Sequence, residues 1–281
     1  MGRSQLTPAS DELMGRAYEA VGEYGRALIK QALAGLYYFY APSGRIQGKS
    51  TLNPESGQGL FRLRRPVPSL DLLIGQGYVS YPRLLAAAVP AVCCGVREIR
   101  ALVQDGEQTS PWILAALELC GVEEVYFLPA DSELPAPGEA SFSKVRVELG
   151  RVADRQAAGI PNCKVWTEPR NMRAGIWQEP GSAIDCRVLT DLHPDIEFFV
   201  YSPNGMEGAK VSSKSEFTRL DHDVVYAPAK VLRDCVRAWL GLGPGMERTW
   251  LWPEILDFLQ PAAARLTRNT ADKENQWIDP L

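Results

Sequence analysis

"LLIGQGYVSYPRLLAAAVPAVCCGV", Leu72 to Val96, is the stretch that decides the fold. A short apolar run reaches Gly75-Gln76-Gly77, turns, and enters a segment with Pro82 near its start and Gly95 at its end. Proline costs little in a first helical turn, where N–H groups have no partner, and glycine past the last turn accepts left-handed backbone. The stretch therefore predicts a strand over Leu70–Ile74 and a helix over Pro82–Cys94. Working outward, "REIRALV" (Arg97–Val103) reads as a second strand. Ser110 then caps a helix with Pro111 at its first position and Gly121 at its end, and Glu123–Leu128 is a third strand. Strand, helix, strand, helix, strand with short turns predicts right-handed crossovers and a parallel sheet covered on both faces, half of a doubly wound α/β domain.

Before this unit, Ser10 followed by Asp11 and Glu12 marks a helix start, with two acids at the positive end of the dipole. Leu13, Ala17, Val21, Tyr24, Leu28, Ala32 and Leu36 recur at helical spacing, so the helix runs from 11 to about 38. Gly15, Gly22, Gly25 and Gly35 leave it dependent on tertiary packing. Residues 41 to 69 read as a long connection. Beyond Pro129, "PADSELPAPGEASF" is a linker and "SKVRVELGRV" a strand running into a turn. "IEFFVYSPNGMEGAKVSS" predicts a β-hairpin about Asn204-Gly205. "APAKVLRDCVRAWLGLG" places Leu232, Cys235, Val236, Trp239 and Leu240 on one helical face, ended by Gly241 or Gly243. "WPEILDFLQPAAARL" is a shorter helix broken near Pro261. The expected division is residues 1–66, a helical region and loop; 67–130, a Rossmann-like domain; 131–245, a second α/β or α+β part; and 246–281, a helix and tail.

The chain has 281 residues, 46% of them hydrophobic, and a net charge of −4, enough for one large core or two modest ones. No basic stripe exists of the kind that neutralises phosphate backbones, which argues against a nucleic-acid partner. The N-terminus lacks an apolar core, and the longest apolar run, Leu84 to Val96, is short and broken by proline, so the expectation is a cytoplasmic protein without a membrane partner. Cys93, Cys94, Cys120, Cys163, Cys186 and Cys235 form no CxxC pair and read as reduced thiols.

Three constellations carry chemistry. Gly75 and Gly77 precede a helix whose free N–H groups could cradle an anion. However, Ser80 stands where a GxGxxG motif would have its third glycine, and no acid follows at the second strand's end to bind a ribose. A plain turn is the favoured reading, with a small ligand in the crevice beyond the strand ends still open. Asp191, His193 and Asp195, with Asp221, His222 and Asp223, combine imidazole and carboxylate as a divalent metal requires, if the hairpin folds them together; ordinary surface neighbours are the commoner arrangement. Cys163 and Cys186, beside Lys164 and Arg187, are candidate nucleophiles against a background of buried thiols. Arg62, Arg64 and Arg65 could meet an acidic partner or simply face solvent.

Val67 to Ala130 resembles the first nucleotide-binding-like domain of histidinol dehydrogenase, a zinc- and NAD-dependent family with a fold akin to aldehyde dehydrogenases. Tyr81-Pro82 match its YP, Pro90-Ala91 its PA, Gly95-Val96 its GV, and "CGVEEVY" (Cys120 to Tyr126) its AGVDEVY; Arg16 to Leu28 looks like the preceding helix. The resemblance implies an α/β fold and places Gly75, Gly77 and Tyr81 at the cofactor turn. The departures fall on the chemistry. Leu73 takes the position of the tyrosine that packs on NAD, and "LPADSELPAPGE" replaces the segment bearing a zinc-ligating glutamine. His193, in "LHPDIEFFV", resembles the catalytic histidine segment, with Leu192 in the glutamate's place. Only two histidines occur in the chain, fewer than the family's set. The expectation is a shortened relative that has lost the zinc- and NAD-dependent chemistry and acts as a binding or interaction protein. Its partner would be a small molecule or protein, or a second copy through the C-terminal tail. The alternative is a divergent NAD-dependent oxidoreductase acting on an amino alcohol or aldehyde.

Overall fold

A computed structural model describes residues 6–41, 47–53, 58–129, 145–151, 164–180, 184–204 and 208–268. A two-residue strand β1 (Thr7–Pro8) leads into α1 (Asp11–Tyr40), whose cap Ser10 accepts a hydrogen bond from the Leu13 N–H. Gly22, at φ 70° and ψ 172°, breaks α1 into two segments; such a backbone is open to glycine and strained for other residues. β2 (Gln47–Asn53) and β3 (Gln58–Arg64) follow, then β4 (Ser69–Ile74), α2 (Tyr81–Cys94), β5 (Glu98–Gln104), α3 (Pro111–Cys120) and β6 (Glu124–Leu128). β7 (Val145–Leu149) and β8 (Lys164–Thr167) complete the first half of the chain. The second half holds β9 (Arg173–Trp177), α4 (Cys186–Leu192), β10 (Glu197–Ser202), β11 (Lys210–Val211), α5 (Lys214–Phe217), β12 (Val224–Tyr226), α6 (Ala229–Leu232), β13 (Leu240–Leu242), α7 (Ile255–Leu259) and β14 (Ala262–Arg268).

The deciding stretch folds as read. β4, β5 and β6 are parallel neighbours, Leu72 opposite Ala101 and Ala101 opposite Val125. Gly95 (φ 83°) and Gly121 (φ 80°) end their helices in the left-handed region, and Ser110 caps α3 through its side chain. The sheet order is β1-β6-β5-β4-β7-β8, with β1 the antiparallel member. From β4 the chain winds through α2 to β5 and α3 to β6, then returns to place β7 on β4's other side. The winding therefore reverses between β4 and β7. α1, α2 and α3 pack together in the main core, where Leu84, Leu85 and Val89 are fully buried, each contributing about 1.5–3 kcal/mol. Leu73, Leu102 and Leu128 form a separate small cluster.

The second sheet, β11-β10-β9-β12-β13, is parallel throughout. This corrects the hairpin expected about Asn204-Gly205. β10 and β11 run in the same direction, so the chain crosses over between them rather than doubling back; Gly205 lies outside the described residues. The long helix expected after Ala227 is also replaced. α6 stops at Leu232, Val236 is 85% exposed, and Leu240–Leu242 extends the sheet beside β12. Pairing with a ready strand edge outweighs a helical periodicity that leaves one of its apolar members in water. The connection over 41–69 holds β2 and β3, which pair antiparallel, with β14 on β3's other side. The Val67 N–H donates to the Leu259 carbonyl, and Arg64 pairs with Asp257. The tail expected to meet a neighbouring subunit lies beyond the described residues. Among the described residues no helix is long and apolar enough to cross a membrane.

Candidate functional site

A cleft of about 340 Å³ opens where the winding reverses, lined by Gln76 to Val79, Arg83, Gly150, Arg151, Glu168 to Asn171, Pro194 and Asp195. Its walls come from the β4–α2 turn, the ends of β7 and β8, and the turn before β10. Crevices at such switch points are where open α/β sheets bind ligands.

Gly75 and Gly77 divide the work of the turn. A Cβ on Gly75 would stand 2.6 Å from the Arg151 carbonyl oxygen, so Gly75 is there to let the chain leaving β7 pass close by. Gly77 has φ +69°, meets nothing within 4 Å of an added Cβ, and lines the cleft. Asn171 on the opposite wall also holds a left-handed φ of 54°.

The cleft floor is ionic. Arg83, the one charged residue in α2, is 1% exposed. Its guanidinium meets Glu168 at 3.1 Å and Asp195 through two bonds of 3.0 and 2.5 Å. Glu168, 3% exposed, also accepts from the Gly150 N–H at 2.6 Å and the Tyr78 hydroxyl at 3.2 Å. Burial raises the Glu168 pKa above the ordinary carboxylate value, against the pull of Arg83 and the Gly150 N–H. Burial likewise holds the Tyr78 phenol well above its usual value, with Glu168 adding to it. Burial works against the Arg83 charge, but Tyr78, Glu168 and Asp195 outweigh it and raise its pKa. The Trp252 indole N–H donates to the Arg83 carbonyl and ties the first turn of α2 to the C-terminal loop.

Behind this floor, the Ser80 hydroxyl lies 2.9 Å from His193 Nδ1. Ser80 makes no side-chain cap bond to α2 because its oxygen is committed to His193. His193 is fully buried against Trp250, with ring centroids 4.9 Å apart. Burial, aided by the Arg83 charge, holds its pKa well below the usual imidazole value, so the ring is neutral at pH 7.

The other sequence candidates disperse. His222 packs against Phe199, Tyr201 and Phe217, in the neighbourhood of a second apolar cluster, whereas Trp250 beside His193 belongs to the main core. Asp195 is engaged by Arg83, and Asp223 accepts from the Arg173 N–H at 2.8 Å. The residues named for a metal are thus spread over two places, and no group of three His, Cys, Asp or Glu side chains suited to a metal ion occurs among the described residues. They do not fit a zinc ion. Tyr81 stacks on Trp112 at 5.4 Å in the core rather than lining the cleft, and Leu73 is fully buried in the sheet. Of Gly75, Gly77 and Tyr81, only Gly77 lines the cleft. Cys186 begins α4, its Sγ 3.5 Å from the Gln178 amide; Cys163 is outside the described residues.

Sequence reasoning passed over Arg83, Glu168 and Tyr78. One signal was available: a single arginine within fourteen otherwise uncharged helical residues needs a buried partner. Glu168 carries no comparable mark, since it reaches the cleft through the pairing of β7 with β8.

Residues 3–130 match the family model of histidinol dehydrogenase. The chain is 31% identical to a histidinol dehydrogenase of Wolinella succinogenes over 140 residues, 49% of this chain and 32% of that protein. It is 40% identical to one of Helicobacter hepaticus over 100 residues, 34% of this chain and 23% of that protein. The matched stretches thus span about a third or less of these relatives' length. The histidinol dehydrogenase of Elizabethkingia anophelis has a similar fold, with a TM-score of 0.62 at 10% identity, covering 93% of this chain and 77% of that one.

Proposed function

We propose that the chain is a binding protein on a histidinol-dehydrogenase-like scaffold, and that the cleft between β4 and β7 receives a small anionic molecule. The observation that carries this reading is the cleft itself. It lies at the switch point, with Gly77 open to close approach and the exposed Arg151 and Arg170 on its rim. The buried Arg83–Glu168 pair, which the half-exposed Asp195 also engages, costs desolvation that apolar packing would avoid, so it serves better as a rigid floor for a ligand than as a source of stability. The scattering of His193, His222, Asp195 and Asp223 supports a role without zinc.

The test is thermal stabilisation by a panel of small carboxylates and phosphates and by NAD. A ligand at a hundredfold excess over its Kd adds about 2.7 kcal/mol, a shift of several degrees for a chain of this length. At least one small anion should give that shift, and Arg151→Ser with Arg170→Ser should remove it. NAD should give a shift near zero. The second reading, an NAD-dependent oxidoreductase acting on an amino alcohol or aldehyde, is favoured by the family match over residues 3–130. Stabilisation by NAD together with reduction of NAD on a panel of such substrates would establish it and sink the first reading.

A further inference from the structure

Behind the cleft floor, four side chains from four parts of the chain lie close together. Arg83 comes from the first turn of α2, His193 from the C-terminal cap of α4, Tyr226 from the end of β12 and Trp250 from the loop before α7. The Trp250 ring is centred 5.9 Å from the Arg83 guanidinium carbon and 4.9 Å from the His193 ring. The Arg83 charge also reaches the His193 ring and the Tyr226 hydroxyl, lowering the pKa of both. Each of the four carries one polar atom with no hydrogen-bond partner among the described residues: Arg83 Nε, His193 Nε2, the Tyr226 hydroxyl and Trp250 Nε1. All four residues are 1% exposed or less, so bulk solvent does not reach them. Their neighbouring atoms are paired. Arg83 Nη1 and Nη2 are held by Glu168 and Asp195, His193 Nδ1 by Ser80, and the Trp252 indole N–H by the Arg83 carbonyl. Leaving a buried polar group unpaired costs more than a hydrogen bond contributes net, and folded interiors pair roughly nine in ten of them. Four such atoms around one arginine therefore mark a binding site.

The chemistry of the four atoms selects the occupant. Trp250 Nε1 and Arg83 Nε only donate; His193 Nε2 accepts when Nδ1–H donates to Ser80 Oγ, and a tyrosine hydroxyl does either. The occupant must both accept and donate. It must also be neutral, because an anion would stand beside Glu168 and Asp195, which already answer the Arg83 charge, and a cation beside the guanidinium itself. Water meets each condition, and a buried water takes about two to four such partners. We propose that this place is an internal hydration site, where bound water accepts from Arg83 Nε and Trp250 Nε1 and donates to His193 Nε2 and the Tyr226 oxygen. The water completes the hydrogen bonding of Arg83 from behind and so keeps Nη1 and Nη2 on Glu168 and Asp195. It also fixes His193 as the tautomer protonated on Nδ1. The site stands whatever the cleft in front of it receives.

Nuclear magnetic resonance on the full, deuterated chain tests this. In nitrogen-edited rotating-frame spectra, the Trp250 indole N–H and the Arg83 Nε–H should each show a through-space cross-peak to water. The Trp252 indole N–H, bonded to the Arg83 carbonyl, should show none. His193 Nε2 should resonate as an unprotonated ring nitrogen and Nδ1 as a protonated one. Tyr226→Phe should keep the Trp250 cross-peak, which a relay through the tyrosine hydroxyl would not. Its melting temperature should fall by about 2–4 °C, the loss of one net hydrogen bond. A dry site gives the opposite sign, since removing an unpaired buried hydroxyl raises the melting temperature. Cross-peaks absent at Trp250 and Arg83, equal at Trp250 and Trp252 or lost in Tyr226→Phe, a proton on His193 Nε2, or a more stable Tyr226→Phe would overturn the proposal.

Discussion

Replacing Arg83 with methionine keeps most of the arginine's stem volume and removes its charge. Glu168 then stays 3% exposed without its cation, and stranding one partner of a buried pair costs about 3–5 kcal/mol. Asp195 adds little to the loss, because its side chain is 49% exposed and water can take over there. At about 2 °C or slightly more per kcal/mol for a chain of this size, the melting temperature should fall by about 6–12 °C at pH 7.5. Arg83→Met with Glu168→Gln should recover most of that loss, since the amide oxygen still accepts from the Gly150 N–H and no charge remains buried. The double-mutant cycle isolates the pair. The pH dependence has a definite sign. Burial already raises the Glu168 pKa, and Arg83 is the main influence lowering it; without Arg83 the folded value climbs further above the unfolded one. A group raised in this way stabilises while protonated and loses that contribution as pH rises through its folded value. The Arg83→Met deficit should therefore shrink as pH falls from 7 toward 5. If Arg83→Met stays within about 1 kcal/mol of the parent, or Glu168→Gln deepens the loss, the ionic floor is not built as described.

His193 and His222 both have pKa values lowered by burial, so their contribution is full above the unfolded value and is lost as pH falls below about 6.5, at up to about 1.4 kcal/mol per pH unit for His193. His193→Asn should flatten that acid limb in urea titrations at pH 6.5 to 5; an unchanged slope would mean His193 is not held neutral. Gly75→Ala pushes a methyl to 2.6 Å from the Arg151 carbonyl oxygen and should cost several kcal/mol. Gly77→Ala meets open space and should lose only about 1–2 kcal/mol from its left-handed backbone. Reversed costs in denaturant melts would refute the assigned roles.

The first sheet was legible because its signals are local. Pro82, Gly95, Ser110, Pro111 and Gly121 each punctuate a helix through their own backbone chemistry, and the apolar runs between them leave one arrangement. The second half was misread where long-range pairing decides. The apolar face over Leu232 to Leu240 has helical spacing, yet Leu240–Leu242 finds the open edge of β12. Gln47–Asn53 and Gln58–Arg64 carry polar and glycine residues that read as loop, and become strands because β14 closes on β3 from two hundred residues away. The candidate site was half visible. Gly77 and His193 were singled out, but the partner of His193 is Ser80, 113 positions earlier, and Glu168 meets Arg83 only after β7 and β8 have aligned.

The pairing of β14 with β3 also bears on how the chain is made. β3 is the middle strand of its sheet, and one of its edges stays open until residues 262–268 have left the ribosome. Nearly the whole polypeptide must therefore emerge before this sheet can close, and until then an unpaired strand edge is offered to any neighbouring nascent chain. A stop between α7 and β14 would leave the two larger sheets intact and that edge permanently exposed. Such truncated chains should aggregate during synthesis in proportion to their crowding on the message, while the full-length product stays dispersed.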